Sequence, residues 1–485
     1  MTHKQFSEVA ASLDSLAASN NFHNLQAFLS ELFDNSDTQF ASISFPIDTI
    51  DPLAFLEICW KDDAFQYYWE KPNDEFAIAA SGALTTITAN GPNRFEEVNH
   101  QFQAIRNKTA EYSEIEHPNS GFYLLGGFSF FDKLNSPNWD SFAPATFTLP
   151  EWIIIKDGKF SLVTFTVDLD TFDTANELNT YLSNQLTQLD QILEQETQKA
   201  NKENGGSDIN PSLPSNRFDH QKWVKSVSEA KELIREDIFE KIVLARHLSF
   251  PKNNNTTPTQ VLNKLREQYI NCYNFLLHQP SGKTFLGSTP ERLVSARNKL
   301  LLTEALAGSI RRGTTATEDT LLEKQLSGNR KDQDEHSFVI KDIEERLEPF
   351  TNDLQRHASP DIKKLSNVQH LYTPIRARLN SDSNIFEVIE QLHPTPAVGG
   401  YPWTKAEPYI KELEHFERGM YAGPIGWINA KGDIEFAVSI RSALFNKDNV
   451  HLFAGCGIVE DSDPEAEWEE TNLKLKPLLS ALQYD

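Results

Sequence analysis

Cysteine is scarce in this sequence, with only Cys59, Cys272 and Cys456 among 485 residues. The three are far apart and form no CxxC pair, so the sequence indicates neither a zinc site nor a disulfide framework. Long apolar runs are also missing, since no stretch reaches the roughly 18–20 residues needed to span a bilayer. Both absences fit a protein of the reducing cytoplasm, and we expect no membrane association.

Basic residues are outnumbered, with 45 Lys and Arg against 70 Asp and Glu, which gives a formal net charge of −25. Nucleic-acid binding needs basic patches that displace counterions, so this balance disfavours a nucleic-acid partner. Residues 1–24 lack the apolar run of a signal peptide and carry Glu8 and Asp14, whereas the first arginine is Arg94. The sequence therefore also argues against an Arg-rich, acid-poor transit peptide.

The composition divides the chain into three parts. Residues 1–198 mix helical and strand patterns and are expected to form the N-terminal part of the fold. Residues 199–216 contain Asn, Gly, Ser and Pro and almost no apolar side chain, which is typical both of a linker and of a long surface loop inside one domain. Residues 217–485 have sharper patterns and are expected to form the catalytic region.

Hydrophobic periodicity and turn residues predict the main elements. Helices are expected at 13–33, 174–198, 223–238 and 320–347, and from Pro464 onwards. Strands are expected at 122–131, 152–167, 242–245, 247–250, 285–286, 300–306, 423–428, 434–445 and 451–459. Turn-forming residues at 429–433 and 446–449 predict antiparallel hairpins in the last third of the chain.

Carboxylates recur on two of the predicted helices. Glu335 lies at the edge of an apolar stripe on one helix. On the last helix Glu467, Glu470 and Lys474 share one face, at spacings of three and four. Each helix alone favours a solvated charged face, although Glu335 could also be a metal ligand or an ion-pair partner. Two helices that meet could hold Mg²⁺, which prefers oxygen ligands. Spacing leaves both interpretations open.

Two further positions carry candidate acid–base groups. Lys241 begins the apolar run 241–245, where burial would favour the neutral amine and make it a usable base, although most such lysines reach water. Glu291 lies in a turn at a strand end, where it either faces a cleft or pairs with Arg292 or Arg246. No GxxxxGK[ST] loop and no strand-linked GxGxxG is present, which argues against nucleotide binding by such loops.

A series of motifs runs in order through the second half of the chain. They are EKIVLAR at 240–246, FLGSTPERL at 285–293, TEALAGS at 303–309, KDQDEH at 331–336, VQHL at 368–371, HPTPAVGG at 393–400, RGMYAG at 418–423, AVSIRSA at 437–443, AGCGIV at 454–459 and SDPEAEWEE at 462–470, followed by Lys474. In type and order they resemble the chorismate-utilising enzymes, which include isochorismate, salicylate, anthranilate and aminodeoxychorismate synthases. LGGF at 125–128 and LPEW at 149–152 extend a looser resemblance into the N-terminal half.

The resemblance implies a mixed α+β (α/β) fold like that of anthranilate synthase component I, with layered antiparallel sheets and outer helices. The N-terminal part is expected to complete that core, and residues 217–485 are expected to bind chorismate. The resemblance leaves open whether the product serves menaquinone or siderophore biosynthesis, although the long N-terminal half favours menaquinone by analogy.

Three features favour one member of the family. A lysine at the Lys241 position goes with water as the nucleophile, and the amine-adding members lack it. Ala307 stands where many aminodeoxychorismate synthases carry a nucleophilic lysine, and 393–400 is more similar to isochorismate synthases than to salicylate synthases. The resemblance thus implies an isomerase, isochorismate synthase, without an obligatory glutaminase partner. A salicylate synthase, an ammonia-using anthranilate synthase-like subunit and a binding protein on a decayed enzyme scaffold are the alternatives.

The roles known in the family transfer residue by residue to this sequence. Lys241 is expected to be the general base for water attacking C2 of chorismate, and Glu291 the general acid for the departing C4 hydroxyl. Mg²⁺ is expected to be held by Glu335, Glu467 and Glu470. The expected substrate-binding residues are Gly308, Ser309, His370, Tyr421, Arg441, Gly455 and Lys474.

Overall fold

The computed structural model describes residues 20–34, 37–199, 217–253, 256–364, 368–381 and 383–483. Residues 13–19 of the first predicted helix and residues 200–216 of the predicted linker lie outside this part, so the boundary at 199–216 stays a prediction. No helix in the described part of the chain combines the length and the apolar character needed to cross a bilayer.

Helices and strands alternate irregularly along the chain. The helices are α1 Asn20–Asp34, α2 Pro52–Ile58, α3 Arg94–Asn107, α4 Ala175–Lys199, α5 Arg217–Arg235, α6 Pro258–Gln268, α7 Ala316–Gly328, α8 Arg330–Leu347, α9 Ile385–Leu392, α10 Trp403–Leu413 and α11 Pro464–Ala481. The strands are β1 Phe40–Ile47, β2 Gln66–Lys71, β3 Phe76–Ser81, β4 Thr85–Ala89, β5 Thr109–Ser113, β6 Tyr123–Phe128, β7 Ala145–Leu149, β8 Trp152–Asp157, β9 Phe160–Asp168, β10 Lys241–Pro251, β11 Tyr273–His278, β12 Thr284–Thr289, β13 Arg292–Arg297, β14 Leu300–Arg311, β15 Thr351–Arg356, β16 Asp361–Lys364, β17 Val368–Leu379, β18 Gly400–Tyr401, β19 Pro424–Asn429, β20 Ile434–Val438, β21 Ser442–Phe445 and β22 Asn449–Ile458.

The strands form two large sheets, and both contain strands from either side of the 199–216 segment. The first is 12-stranded, in the order β18-β10-β22-β21-β12-β11-β2-β3-β8-β9-β1-β5. The second is 10-stranded, in the order β15-β17-β14-β13-β20-β19-β6-β7-β4, with β16 paired to β17. The junctions are antiparallel, with Tyr67 opposite Leu277 in the first sheet and Leu125 opposite Trp427 in the second. The N-terminal strands therefore extend both sheets.

The two sheets pack face to face. Strand β2 is apolar on both faces because each face contacts a different core. Successive side chains of a strand point to opposite faces. Tyr67 and Trp69 belong to the core between the sheets, where the Tyr67 hydroxyl donates to the Gly426 carbonyl of β19 at 2.9 Å. Tyr68 faces the opposite way, into a second core formed with α2, α6 and α11. These layered antiparallel sheets with outer helices confirm the predicted fold class.

The structure also departs from the predicted elements at four places, and at the first of them the predicted strands 242–245 and 247–250 form one strand, β10. Residues 152–167 form two strands, β8 and β9, rather than one. The predicted helix 320–347 is interrupted at Asn329, whose backbone is extended, and becomes α7 and α8. The predicted strand 434–445 is divided into β20 and β21, which belong to different sheets.

The chain crosses from one sheet to the other at two neighbouring points. Between β12 and β13 it crosses at Pro290 and Glu291, and between β20 and β21 it crosses back at residues 439–441. Backbone hydrogen bonds join the two crossovers. The Val438 N–H donates to the Glu291 carbonyl at 3.0 Å, and the Ser288 N–H donates to the Arg441 carbonyl at 3.2 Å. Regular pairing ends at these points, so the side chains there can turn into the space between the sheets.

Candidate active site

A cavity of about 140 Å³ opens beside the two crossovers, between β10, β14 and β22. The predicted site residues on its wall are Lys241, Glu291, Gly308, Ser309, Glu335, His370, Tyr421, Arg441, Gly455, Glu470 and Lys474. Only Glu467 of the predicted set is missing from the cavity wall in the described part of the chain. The fold thus assembles residues that the motifs could only place in order along the sequence.

Lys241 begins β10, as predicted, and forms an ion pair across the cavity wall. Its Nζ lies 2.6 Å from Oε1 of Glu335 on α8. Gly457 on β22 packs against the lysine, because a Cβ built on this glycine would lie 2.7 Å from Cε of Lys241. The missing side chain at Gly457 therefore leaves the space that Lys241 occupies.

Glu291 is a buried carboxyl group in the first crossover, with 7% of its surface exposed. Its Oε1 accepts a hydrogen bond from Thr395 Oγ1 at 3.4 Å, whereas Arg292 and Arg246 both bond to other side chains. Burial raises the pKa of Glu291 to about 7, and the charge of the nearby Glu304 carboxylate adds to this effect. The group can therefore hold a proton near neutral pH, as a general acid requires.

Arg441 lies in the second crossover with a φ of 50°, in the left-handed region that residues with side chains seldom adopt. Its guanidinium is buried, which lowers its pKa, and Nη1 has no hydrogen-bond partner among the described residues. A buried charged donor is costly unless it is paired. The planar guanidinium fits a carboxylate in two-point contact, so the geometry favours a ligand carboxylate at this position.

A β-bulge on β14 shapes another side of the cavity. The pairing of β14 with β17 shifts between Ala307 and Ser309, and Gly308 between them has a φ of 74°, which favours glycine. The shift sets Ser309 Oγ 2.7 Å from Nδ1 of His370. Burial, reinforced by nearby cations, lowers the pKa of His370 to about 3, so the ring is neutral. Its Nε2 is buried and has no partner among the described residues, and is thus available to a ligand.

Helices α8 and α11 both contribute a carboxylate to the cavity, as the magnesium interpretation requires. Glu335 pairs with Lys241, and Oε1 of Glu470 lies 2.8 Å from Nζ of Lys474. No cluster of three or more His, Cys, Asp or Glu side chains with metal-binding geometry occurs among the described residues. Mg²⁺ commonly takes one or two carboxylates and completes its shell with water and substrate oxygens, so Glu335 and Glu470 fit this ion. Glu467 lies one turn before Glu470 on α11.

The cavity has a surplus of positive charge. Its cationic side chains are Lys241, Arg418, Arg441 and Lys474, and its carboxylates besides Glu291 are Glu335 and Glu470. This local balance is opposite to that of the whole chain, whose formal charge is −25. Such a cavity attracts a small anion that the rest of the surface repels.

Arg418 also lines the cavity, although it was not among the predicted site residues. It is buried in an ion pair with Glu414, and its guanidinium also donates to the carbonyls of Val398 and Val243 at 2.7 and 2.8 Å. Glu414 in turn accepts from the Ala245 N–H at 2.7 Å. The pair therefore ties β10 to the 393–400 segment. Two signals in the sequence could have identified Arg418: its place at the start of the RGMYAG motif and the i, i+4 spacing of opposite charges with Glu414.

The sequence and the fold of this chain match those of known proteins. Residues 27–483 match the family model described as chorismate binding enzyme. The chain is 34% identical to isochorismate synthase MenF of Bacillus subtilis, over 91% of this chain and 93% of the relative. It is 36% identical to the salicylate biosynthesis isochorismate synthase of Pseudomonas aeruginosa, over 90% of this chain and 89% of the relative.

A solved structure of MenF, the menaquinone-specific isochorismate synthase from Escherichia coli, superposes with a TM-score of 0.73 at 26% sequence identity. The match covers 96% of this chain and 100% of that one. Family model, sequence identity and structure agree over nearly the whole length, and the predicted resemblance is confirmed. The chain belongs to the chorismate-binding enzyme family.

Proposed function

We infer that this chain is an isochorismate synthase, an isomerase that converts chorismate to isochorismate. The inference rests on one observation above all: a single cavity brings together an amine, Lys241, a buried carboxyl group, Glu291, and a buried guanidinium with a free N–H, Arg441. The two similar proteins named as isochorismate synthases, at 34% and 36% identity, support the same reaction.

We propose that Lys241 is the general base and Glu291 the general acid. Lys241 takes a proton from the water whose oxygen bonds to C2, the ring double bond shifts, and the C4 hydroxyl leaves with the proton of Glu291 as water. A lysine accepts a proton only as the neutral amine, so its ammonium proton has to pass to solvent and its ion pair with Glu335 has to open before reaction. Glu291 fits its role because a pKa of about 7 keeps much of it protonated near neutral pH.

We propose that the substrate is held through its two carboxylates. Arg441 and Tyr421 would bind the pyruvyl carboxylate, since the guanidinium has a free Nη1 and both residues line the cavity. Lys474 bonds to the Gly455 carbonyl at 2.8 Å, which fixes the ammonium on the cavity wall where an anion can reach it. Gly308, Ser309 and His370 would contact the remaining polar edge of the ligand.

We propose that Glu335 and Glu470 hold Mg²⁺, and that Glu467 joins them if its side chain turns towards the cavity. The ion, when bound, supplies positive charge that neutralises the ring carboxylate of the substrate. Both glutamates are already neutralised by Lys241 and Lys474, so these lysines must release them when the ion binds. A cytoplasmic location and a role in menaquinone or siderophore synthesis remain further proposals.

The test is a reaction of the purified protein with chorismate and Mg²⁺, followed by proton NMR. We expect a chorismate–isochorismate mixture without pyruvate and without a need for ammonia. Lys241→Ala and Glu291→Gln should each abolish turnover, whereas the exposed control variants Lys405→Ala and Glu412→Gln should keep it. Equimolar pyruvate and salicylate would instead identify a salicylate synthase, and turnover only with ammonia would identify an amine-adding synthase.

A further inference from the structure

A second ion pair lies directly behind Glu291, outside the cavity. Lys363 on β16 places its Nζ 2.8 Å from Oε1 of Glu304 on β14 and donates to the Pro290 carbonyl at 2.9 Å. The same Oε1 of Glu304 accepts from the Arg292 N–H at 3.2 Å. Neither Lys363 nor Glu304 is among the residues that line the cavity.

The contacts of this pair bracket the proposed general acid along the backbone. Pro290 precedes Glu291, and its carbonyl accepts a hydrogen bond from Lys363. Arg292 follows Glu291, and its N–H donates to Oε1 of Glu304. Glu304 is almost completely buried, with 4% of its side chain exposed, whereas 21% of the Lys363 side chain is exposed. A buried ion pair often stabilises a fold no more than apolar side chains of the same size would, so the presence of this pair behind the acid suggests a role other than stability.

We propose that Glu304 and Lys363 are positioning residues for the reaction, which together fix the backbone on both sides of Glu291 and set a buried negative charge behind it. The proposal rests on the proposed function of Glu291. It assigns the pair no contact with the substrate and no part in the transfer of atoms.

The electrostatics agree with this arrangement. Burial is the largest cause that raises the pKa of Glu291, and the charge of Glu304 is the second. Lys363, the Thr395 hydroxyl and Lys474 act in the opposite direction. The pKa of Glu304 itself is lowered, since Lys363 and the Arg292 guanidinium outweigh the effect of its burial. Glu304 thus remains ionised while Glu291 holds its proton.

Other charged groups also face the cavity, and they are the same in every variant compared below. They are Lys241 on β10, Glu335 on α8, His370 on β17, Arg418 between α10 and β19, Arg441 in the second crossover, and Glu470 and Lys474 on α11. A change in the pH profile that appears when Glu304 alone is altered therefore reports the charge of Glu304.

Glu304→Gln tests the charge. Glutamine keeps an oxygen for Lys363 and for the Arg292 N–H, and its amide group can still hydrogen bond to Tyr372, which contacts Glu304, so the main change is the loss of the negative charge. The pH profile of kcat/KM for chorismate, measured at saturating Mg²⁺, should contain an inflection near pH 7 from Glu291. We expect this inflection to move to lower pH by on the order of one unit in the variant. An unmoved inflection would overturn the electrostatic half of the proposal.

Lys363 tests the backbone contacts, with its neighbour as a matched control. Lys363→Met should lower kcat by about tenfold to 100-fold, as expected for a displaced catalytic group, and Lys363→Arg should restore most of it. Lys364→Met removes an adjacent lysine that pairs instead with Asp319 and Glu323, and it should leave kcat unchanged. Equal effects of the two methionine substitutions, or full activity of Lys363→Met, would contradict the proposal.

The outcome separates this inference from the function on which it rests. Absence of isochorismate from the unaltered protein would refute the proposed function. Normal turnover together with unchanged pH profile and kcat in the Glu304 and Lys363 variants would refute only the positioning role. Retention of the fold in each variant is checked by circular dichroism, and the Arg substitution provides a result even if Glu304→Gln fails to fold.

Discussion

Glu291→Gln should stabilise the fold above neutral pH while it removes turnover. Glu291 is buried, and the side-chain hydrogen bond that its carboxyl group accepts among the described residues, from Thr395, is long, at 3.4 Å. Burial raises its pKa from the ordinary 4.5 to about 7. Between these values the unfolded chain ionises this group and the folded protein does not, so the unfolded state gains stability as the pH rises.

The size of the effect follows from the shift in pKa. For a group whose pKa is raised in the folded protein, stability is fully present below the unfolded pKa and is lost as the pH rises through the folded pKa. The shift from 4.5 to about 7 corresponds to a loss of about 3 kcal/mol, at about 1.4 kcal/mol per pKa unit. Glutamine does not ionise, so the variant does not lose this stability. The difference in free energy of unfolding between the two proteins should grow between pH 4.5 and about pH 7 and stay constant at higher pH.

Urea denaturation at a series of pH values between about 5 and about 8 measures this difference. The exposed substitution Glu412→Gln controls for the change of residue type. Glu304→Gln provides a contrast of opposite sign at about pH 8, because it leaves Lys363 without its anionic partner and should destabilise the fold. A stability difference for Glu291→Gln that is the same at every pH would refute the reasoning, since it would mean that Glu291 ionises in its ordinary range.

Three further outcomes follow from the cavity. Arg441→Met should raise KM for chorismate by about 100-fold in steady-state kinetics, because a charge-assisted contact with a carboxylate is worth about 3 kcal/mol, and a KM within about twofold of normal would contradict the assignment. Gly457→Ala should lower kcat by at least about tenfold, because the new Cβ would lie 2.7 Å from Cε of Lys241, whereas Gly328→Ala, with open space around it, should keep activity. Chelation of the metal with EDTA should abolish turnover reversibly, and turnover that persists in EDTA would refute the metal proposal. Glu470→Gln should raise the Mg²⁺ concentration needed for half-maximal rate.

The sequence predicted local elements well where periodicity and turns were regular. Lys241 begins its strand as expected, and the hairpin turns at 429–433 and 446–449 fall between the predicted strands. The predicted strand 434–445 was wrong as one element, because its apolar run continues while the backbone leaves one sheet for the other at Arg441. The alternation of apolar and polar residues can predict a strand, but it does not predict the sheet to which the strand belongs.

Most of the candidate site could be named from motif resemblance, and little of it from periodicity. The spacing of charged residues predicted two helices that carry carboxylates. The fold is needed to show that Glu335 and Glu470 line one cavity. The Glu304–Lys363 pair gave no local signal, since the partners are 59 positions apart and lie on different strands. Long-range contacts of this kind depend on the register of β14, β16 and β17, which the sequence pattern does not specify.

The most direct measurement of the central claim is the fate of oxygen from the solvent. The protein is incubated with chorismate and Mg²⁺ in ¹⁸O-labelled water, and the products are analysed by mass spectrometry and carbon NMR. Water addition at C2 by the Lys241–Glu291 pair predicts isochorismate with one ¹⁸O in its C2 hydroxyl, no pyruvate, and no labelled product with Lys241→Ala. Isochorismate without solvent oxygen, or labelled product from the Lys241 variant at the normal rate, would contradict the account.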